Sequence, residues 1–416
     1  MEPHASAHLA SRRPARPAHH ASPAPPGDRR RVAPLEGLRG LAILGVLLFH
    51  TGHFGGGFLG VDLFFVLSGF LITGLLLDET RARGGRLDLV AFWGRRARRL
   101  LPALAVTIAG TLLLCWASGP PALLRFALDD APWVAANLAN WHFVAERVGY
   151  WDAADTRGFA HLWSIAVEEQ FYLLWPLVLA LVARGPRAHR RVAAVAAAGA
   201  ALSLVLMIVL ADPADTTRVY EGTDTRAFSL LLGALMATAP VSRLLARAGR
   251  PACAWTGLAL ACGIGTYWAA VGGQDSPMLF RGGLFLHALA CAVLIACAAH
   301  APNAPFGRVL AVRPLRWLGQ ISYSLYLWHW PLTLLLSEER LGIAGWSRTA
   351  VVVAASVAAA WLSKVLVEDP IRFRARWARG RTGALVLLAA FAALAVLWAL
   401  IPRPQTGAGT VDLTRL

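Results

Sequence analysis

Long apolar runs separated by short polar connections divide this chain almost from end to end. A membrane-crossing helix needs about 20 apolar residues. The pattern predicts such helices near 34–53, 58–77, 100–118, 160–182, 192–211, 225–239, 254–272, 282–300, 315–337, 347–367 and 382–401. The segment 225–239 is short for a span. The stretch 127–147, with Trp133, Asn137, Asn140 and Trp141, is apolar enough to enter a membrane without crossing it. No stretch is long enough to fold as a soluble domain, and no internal repeat is visible. The predicted fold class is all-α, a polytopic transmembrane bundle of about eleven spans.

The connections give the orientation. Arg12, Arg13, Arg16 and Arg29–Arg31 precede the first run. Every second connection after it is basic: Arg81 to Arg99, Arg184 to Arg191, Arg243 to Arg250, Arg308 to Arg316 and Arg372 to Arg381. The alternate connections hold most of the acids, among them Asp129, Asp130, Glu146, Asp212, Glu221 and Asp275. Eleven spans with the N-terminus inside and the C-terminus outside satisfy the positive-inside rule throughout.

Composition agrees. The chain has 416 residues, 57% of them hydrophobic and only 15% charged, with a net charge of +16. Soluble domains lie near roughly 45–50% apolar and about 25% charged. The charge sits between apolar runs, which points to membrane orientation, a lipid bilayer partner and no nucleic acid. A multi-pass cell-membrane location follows. Cys115, Cys253, Cys262, Cys291 and Cys297 lie in apolar segments without metal-type spacing and are expected to be small buried hydrophobes. No metal site is expected. Residues 1–33, rich in Pro, Ala, His and Arg, are expected to be a disordered cytoplasmic arm. The first apolar run is long enough to span and has no A-x-A-like site after it, so it is expected to be retained. The membrane domain is expected over 34–375, with an extra helix and short outer tail over 376–416.

Ionisable side chains inside such runs are costly and mark function by default. Arg39 and His50 stand eleven residues apart in the first run. That step is about three turns, so both point the same way, roughly 16 Å apart. An Arg near a helix end also reaches the interface by snorkelling. Further polar clusters interrupt the apolar helices: Glu36 to Arg39, Asp62 to Ser68, and His161-Leu162-Trp163-Ser164 running to Glu168-Glu169-Gln170-Phe171-Tyr172. The last is Ile321-Ser322-Tyr323-Ser324-Leu325-Tyr326-Leu327-Trp328-His329-Trp330. The basic string Arg95-Arg96-Ala97-Arg98-Arg99 stands in the second connection.

These strings resemble the acyltransferase 3 family of bacterial integral-membrane O-acyltransferases. The match runs from the Arg-x10-His first helix through Phe64-Phe65-Val66-Leu67-Ser68-Gly69-Phe70 and the basic loop to the two aromatic-rich helices, over roughly 34 to 375. Glu36 and Ile165 depart slightly from the usual residues. Many relatives carry a soluble hydrolase-like domain after the last helix, whereas here about fifteen residues follow it. Direct transfer by the membrane core is therefore expected. The resemblance implies transfer of an acyl group, usually acetyl, from acyl-CoA as donor substrate, with no other cofactor. The implied acceptor is a hydroxyl of a glycan, a glycolipid or a glycosylated small molecule.

Acyl transfer from a thioester to an alcohol needs a base, a stabiliser for the oxyanion and a site for donor phosphates. Desolvation in a membrane helix favours neutral imidazole at His50, ready to take a proton. Glu168 or Glu169 is expected to orient that ring as in triad-type sites. The two acids lie about 100° apart, so one of them is expected to face the core. Arg39, Arg95, Arg96, Arg98 and Arg99 are assigned to the donor, since the planar guanidinium fork suits phosphate. The basic string also reads as a topology or lipid signal. Ser68 joins the donor side, as a nucleophile or as part of a close-packing Ser-Gly pair. His161, Trp163, Ser164, Tyr323 and His329 are acceptor-side candidates. Their aromatic surroundings read equally as an interface belt or a sugar-stacking wall. Asn140 and Arg226 are weaker candidates. The second reading is a proton-coupled transporter or flippase of a glycan precursor, with Arg39, His50 and Glu168 as an ion relay. Against it stand the missing inverted repeat and the lack of evident broken helix pairs.

Overall fold

The computed structural model describes residues 32–149, 156–212, 214–272, 278–375, 377–378 and 380–404. The expected N-terminal arm lies outside these apart from Val32 and Ala33, as does the end of the C-terminal tail. Among the described residues all regular elements are helical.

Helices α1 (Ala33–His50), α2 (Gly60–Ala82) and α3 (Leu89–Ser118) come first. The short α4 (Pro121–Ala135) and α5 (Ala139–Glu146) follow, then α6 (Trp163–Val182) and α7 (Ala188–Val209). Next come α8 (Thr217–Glu221), α9 (Thr223–Met236), α10 (Ala239–Ala270), α11 (Leu284–His300) and α12 (Pro305–Leu310). The chain ends with α13 (Arg313–Leu335), α14 (Glu338–Leu341), α15 (Gly345–Ser363) and α16 (Gly380–Leu400).

Each of the eleven predicted segments falls on one of these helices. Eight helical stretches are long and apolar enough to cross a membrane, or nine if one bent pair is a single span. That pair, residues 217–236 with Ala239–Ala270, bends by 61°. It corrects the expectation that no helix pair is broken. Thr238 is extended between the two, and Pro240 opens the second. A second break inside α10 comes at Gly249, whose φ of +84° suits glycine, just before Pro251. Helix α13 is less apolar than the other long helices, and its stretch from Ile321 to Pro331 is almost wholly buried in the bundle. The stretch 127–147 becomes α4 and α5, both shorter than a span, turning at Asn137 in the left-handed region.

Two seams set the bundle. On the first, α1 packs closely on α12 and α13: a Cβ on Gly37 would fall on the Leu310 carbonyl at the end of α12. One on Gly40 would meet Leu315, and one on Gly319 would meet the Glu36 carbonyl. Small residues permit this backbone approach in membranes. On the second, Gly69 of α2 meets the Leu230 carbonyl of α9, and Gly233 of α9 meets the Val66 carbonyl. The close packing foreseen for the Ser68-Gly69 pair thus belongs to Gly69, leaving the Ser68 hydroxyl to point elsewhere. Overpacking a seam costs about 1–3 kcal/mol and often more. Gly319→Leu is expected to lower the melting temperature of the detergent-solubilised protein markedly. Gly263→Ala, where nothing lies within 4 Å of an added Cβ, is expected to leave it unchanged or raise it. A thermal melt of both variants checks this.

Four of the five cysteines are buried as expected, and Cys262 is exposed on α10. Helix α16 buries little of itself; it touches α3 and α4, and Trp398 Nε1 donates to the Leu128 carbonyl at 2.7 Å.

Candidate active site

The α1–α13 seam carries two layers of polar side chains. One surrounds Arg39 and the other His50, separated by the three turns between them.

The arginine layer begins with α3. Asp88 caps that helix by accepting from the Ala91 amide at 2.9 Å, a hydrogen bond that holds the Asp88 carboxyl below its usual range. The basic string is therefore the opening of α3 rather than a loop, which corrects the prediction of a helix starting at 100. Helical spacing then divides the four arginines. Arg96 stacks over the Tyr172 ring at 4.7 Å, and Arg99 is within electrostatic reach of Arg39. Arg95 instead pairs with Glu79 at 3.2 Å, and Arg98 reaches the Ala378 carbonyl at 3.4 Å. The cluster acts as two pairs, one turned to the layer and one away from it.

Glu168 accepts hydrogen bonds from Ser68 and Tyr172. The Tyr172 oxygen also lies 2.9 Å from Ser68 Oγ. Glu168 is within electrostatic reach of Arg39, and Arg96 and Arg99 of Glu169. Both acids are half-buried in this layer, so the expectation that only one faces inward does not hold. Arg39 keeps its Nε buried and without a partner among the described residues. Tyr323 belongs here too: its hydroxyl donates to the Leu100 carbonyl at 3.0 Å, with Arg99, Glu169 and Glu368 around it. It stands away from the other acceptor-side candidates because six residues of helix put it about 9 Å below His329. Ser324 bonds Glu368, a further acid of this layer.

The histidine layer is built where α1, α13 and the start of α6 meet. His50 Nδ1 lies 2.9 Å from His329 Nε2. His329 Nδ1 lies 2.7 Å from the Tyr326 carbonyl, an acceptor only, so the proton on His329 belongs on Nδ1. In the neutral ring Nε2 is then an acceptor, and His50 Nδ1–H donates to it. The unprotonated nitrogen of His50 is Nε2, the form a general base needs. The expected carboxylate partner of His50 is thus replaced by His329, because Glu168 lies at the level of Arg39. His161, fully buried, donates from Nε2 to the Leu327 carbonyl at 3.2 Å, and its ring centroid is 5.1 Å from that of His329. Tyr326 donates to the His161 carbonyl at 2.9 Å and shares a 2.7 Å hydrogen bond with Ser164. The Trp330 ring lies 4.5 Å from His50, and its Nε1 donates to the Arg157 carbonyl at 2.9 Å.

This burial overturns the interface-belt reading. Tyr326, Trp328, His329 and Trp330 pack inside the bundle. Trp163 is no anchor either: fully buried, it lies against Arg226, as do Tyr220 and Phe65. Arg226 pairs with Asp62 at 2.9 Å, and Ser229 donates to the same carboxylate at 2.8 Å. Asn140 donates to the Glu221 carbonyl and to Thr223. Arg226 and Asn140 therefore tie helices together outside the two layers. Among the described residues no His, Cys, Asp and Glu group is arranged to hold a metal ion.

Tyr172 and Glu368 were given no role from the sequence. Tyr172 has a visible signal, standing one turn after Glu168 on the same face. Glu368 has only its place as an acid at the end of an apolar run.

A family profile described as an acyltransferase domain matches residues 32–366. YrhL of Bacillus subtilis, named provisionally as a peptidoglycan O-acetyltransferase, is 38% identical over 355 residues, covering 82% of this chain and 55% of YrhL. The peptidoglycan O-acetyltransferase OatA of Listeria monocytogenes is 36% identical over 353 residues, covering 83% of this chain and 56% of its own. The O-acetyltransferase OatA of Staphylococcus aureus is 35% identical over 318 residues, covering 74% and 52%. The chain thus spans about half the length of the curated relatives it matches. No solved structure matches it.

Proposed function

We propose that this chain, which belongs to the acyltransferase 3 family, is a membrane O-acyltransferase that moves an acyl group from acyl-CoA to a glycan hydroxyl. The relatives are named for peptidoglycan O-acetylation, so acetyl and a cell-wall glycan are the first choices of group and acceptor. The observation that carries the reading is the pair of polar layers on one helix, arginines at one level and a histidine pair about 16 Å away. With the basic connections inside, the arginine layer faces the cytoplasm, where CoA is found. The histidine layer faces the outside, where envelope glycans lie.

The residues then divide the chemistry. Arg39, Arg96 and Arg99 bind donor phosphates, each guanidinium offering a fork of N–H donors. Glu168, held by Ser68 and Tyr172, offsets part of the positive charge around Arg39. The flexible arm of CoA carries the thioester towards His50. His50 Nε2 takes the proton of the acceptor hydroxyl as the oxygen attacks the thioester carbonyl. When the C–S bond breaks, the imidazolium returns that proton to the departing sulfur, leaving an ester and free CoA. His329 holds the His50 ring and accepts its Nδ1–H, the orienting role a carboxylate plays in triads.

Purified protein supplied with acetyl-CoA is expected to release free CoA thiol slowly, and faster when a glycan acceptor is added. Thiol detection reads both rates. No release under either condition would remove acyl-CoA as donor; a protein that only transports a glycan precursor gives that outcome.

A further inference from the structure

Between the two layers, α3 and α13 bury a short run of polar atoms that no protein group satisfies. Thr107 and Thr111 are both fully buried, and neither hydroxyl has a hydrogen-bond partner among the described residues. This is unusual for helical threonines, which ordinarily bond the carbonyl one turn back. Thr333 of α13 does so at 2.7 Å, and Thr51 at 3.0 Å. The indole N–H of Trp328 is also buried without a partner. Its ring lies against Gly110, which stands on α3 beside Thr111 and one turn above Thr107. Trp328 thus packs on the stretch of α3 that carries the two threonines. Each leaves a buried polar group unpaired, which is costly unless something else pairs with it.

Their level is set by contacts at both ends. At one end Tyr323 meets the Leu100 carbonyl beside Arg99, in the arginine layer. At the other, Thr111 lies 3.6 Å from where a Cβ on Gly158 would sit. The next residue back, Arg157, receives the Trp330 hydrogen bond in the histidine layer. Thr107 and Thr111 stand eight and twelve residues beyond Arg99, a rise of about 12 and 18 Å. The run thus bridges the gap between Arg39 and His50. Arg39 Nε in the arginine layer and His161 Nδ1 in the histidine layer are likewise buried without partners among the described residues.

We propose that Thr107, Thr111 and Trp328 bind the pantetheine arm of acyl-CoA as it passes from the arginine layer to His50. This rests on the acyl-CoA reading above. The chemistry fits the arm's two amides and one hydroxyl. Trp328 Nε1–H only donates and suits an amide carbonyl, whereas a threonine hydroxyl pairs with either an amide N–H or a carbonyl.

The test is equilibrium competition on the full chain in detergent, with CoA and with adenosine 3′,5′-bisphosphate, which has the charged head without the arm. Thr107→Val and Thr111→Val keep the shape and remove the polar atom, and Trp328→Phe removes the indole N–H together with part of the ring. Each is expected to weaken CoA about three- to tenfold, as one lost hydrogen bond does, and to leave the bisphosphate unchanged. Thr107→Ser and Thr111→Ser keep the hydroxyl and are expected to keep CoA affinity. Equal weakening of both ligands would mean a general structural defect and would overturn the proposal. Unchanged CoA binding in all three variants would overturn it too, leaving ordered water as the partner of these atoms. Absence of CoA binding by the unsubstituted protein would instead overturn the donor reading itself, and this inference with it.

Discussion

His50→Ala is expected to lower the turnover rate by about 10²–10⁴, the usual worth of a positioned base, with the KM for acyl-CoA close to that of the unsubstituted protein. The reason lies in the geometry. His50 stands three turns from the arginines assigned to the donor, so its removal is expected to take away a proton acceptor without disturbing donor binding. The ring also depends on His329, which fixes its tautomer through the 2.9 Å contact. Substituting His329 is therefore expected to cost turnover as well, and the double variant to be little worse than His50→Ala alone, since the two act as one unit. Steady-state kinetics with acyl-CoA varied, on protein shown to be in the membrane, decides the matter. A His50→Ala enzyme with undiminished turnover would sink the mechanism while leaving the family assignment intact.

Arg39→Lys produces the opposite pattern. Lysine keeps the charge and loses the planar fork. One lost charge-assisted hydrogen bond is worth about 1.5–3 kcal/mol. The KM for acyl-CoA is therefore expected to rise about tenfold or more while turnover at saturation stays near the original. Arg96→Lys is expected to follow it, because Arg96 is stacked on Tyr172. Arg95→Lys and Arg98→Lys are expected to change little, as these side chains turn to Glu79 and the Ala378 carbonyl. The same kinetics separate the pairs. Equal effects from all four would mean that the string acts as a diffuse basic patch.

Much of this was legible before any coordinates. Arg39 and His50 stand out because ionisable groups are rare in apolar runs, and helical period alone puts them on one face. The eleven apolar segments each became a helix for the same reason: in lipid, backbone groups must be paired within the segment. What stayed hidden is long-range. His329 is 279 residues from His50 along the chain, and only the glycine seam of α1 against α13 brings the two together. Nothing in the local sequence distinguishes its buried imidazole from the aromatic residues around it. Trp163 and Trp330 read as interface anchors because their type favours that place; burial against Arg226 and His50 overrode the preference. The arginine string read as a loop because it separates two apolar runs. Yet arginine is a good helix former, and Asp88 supplies the cap that starts α3 at Leu89, eleven residues before Leu100. Apolarity marks where a helix meets lipid, not where it begins.

The central claim is that one chain takes an acyl group from acyl-CoA at the arginine layer and delivers it at the histidine layer on the other side of the membrane. Sealed vesicles containing the purified protein test it most directly. They are given acetyl-labelled CoA on the face of the basic connections only, and a peptidoglycan fragment on the opposite face only. The account predicts labelled ester on the fragment, detected by mass spectrometry and lost when His50 is replaced by Ala. Label that appears only when donor and acceptor share one face, or not at all while CoA is being consumed, would contradict it.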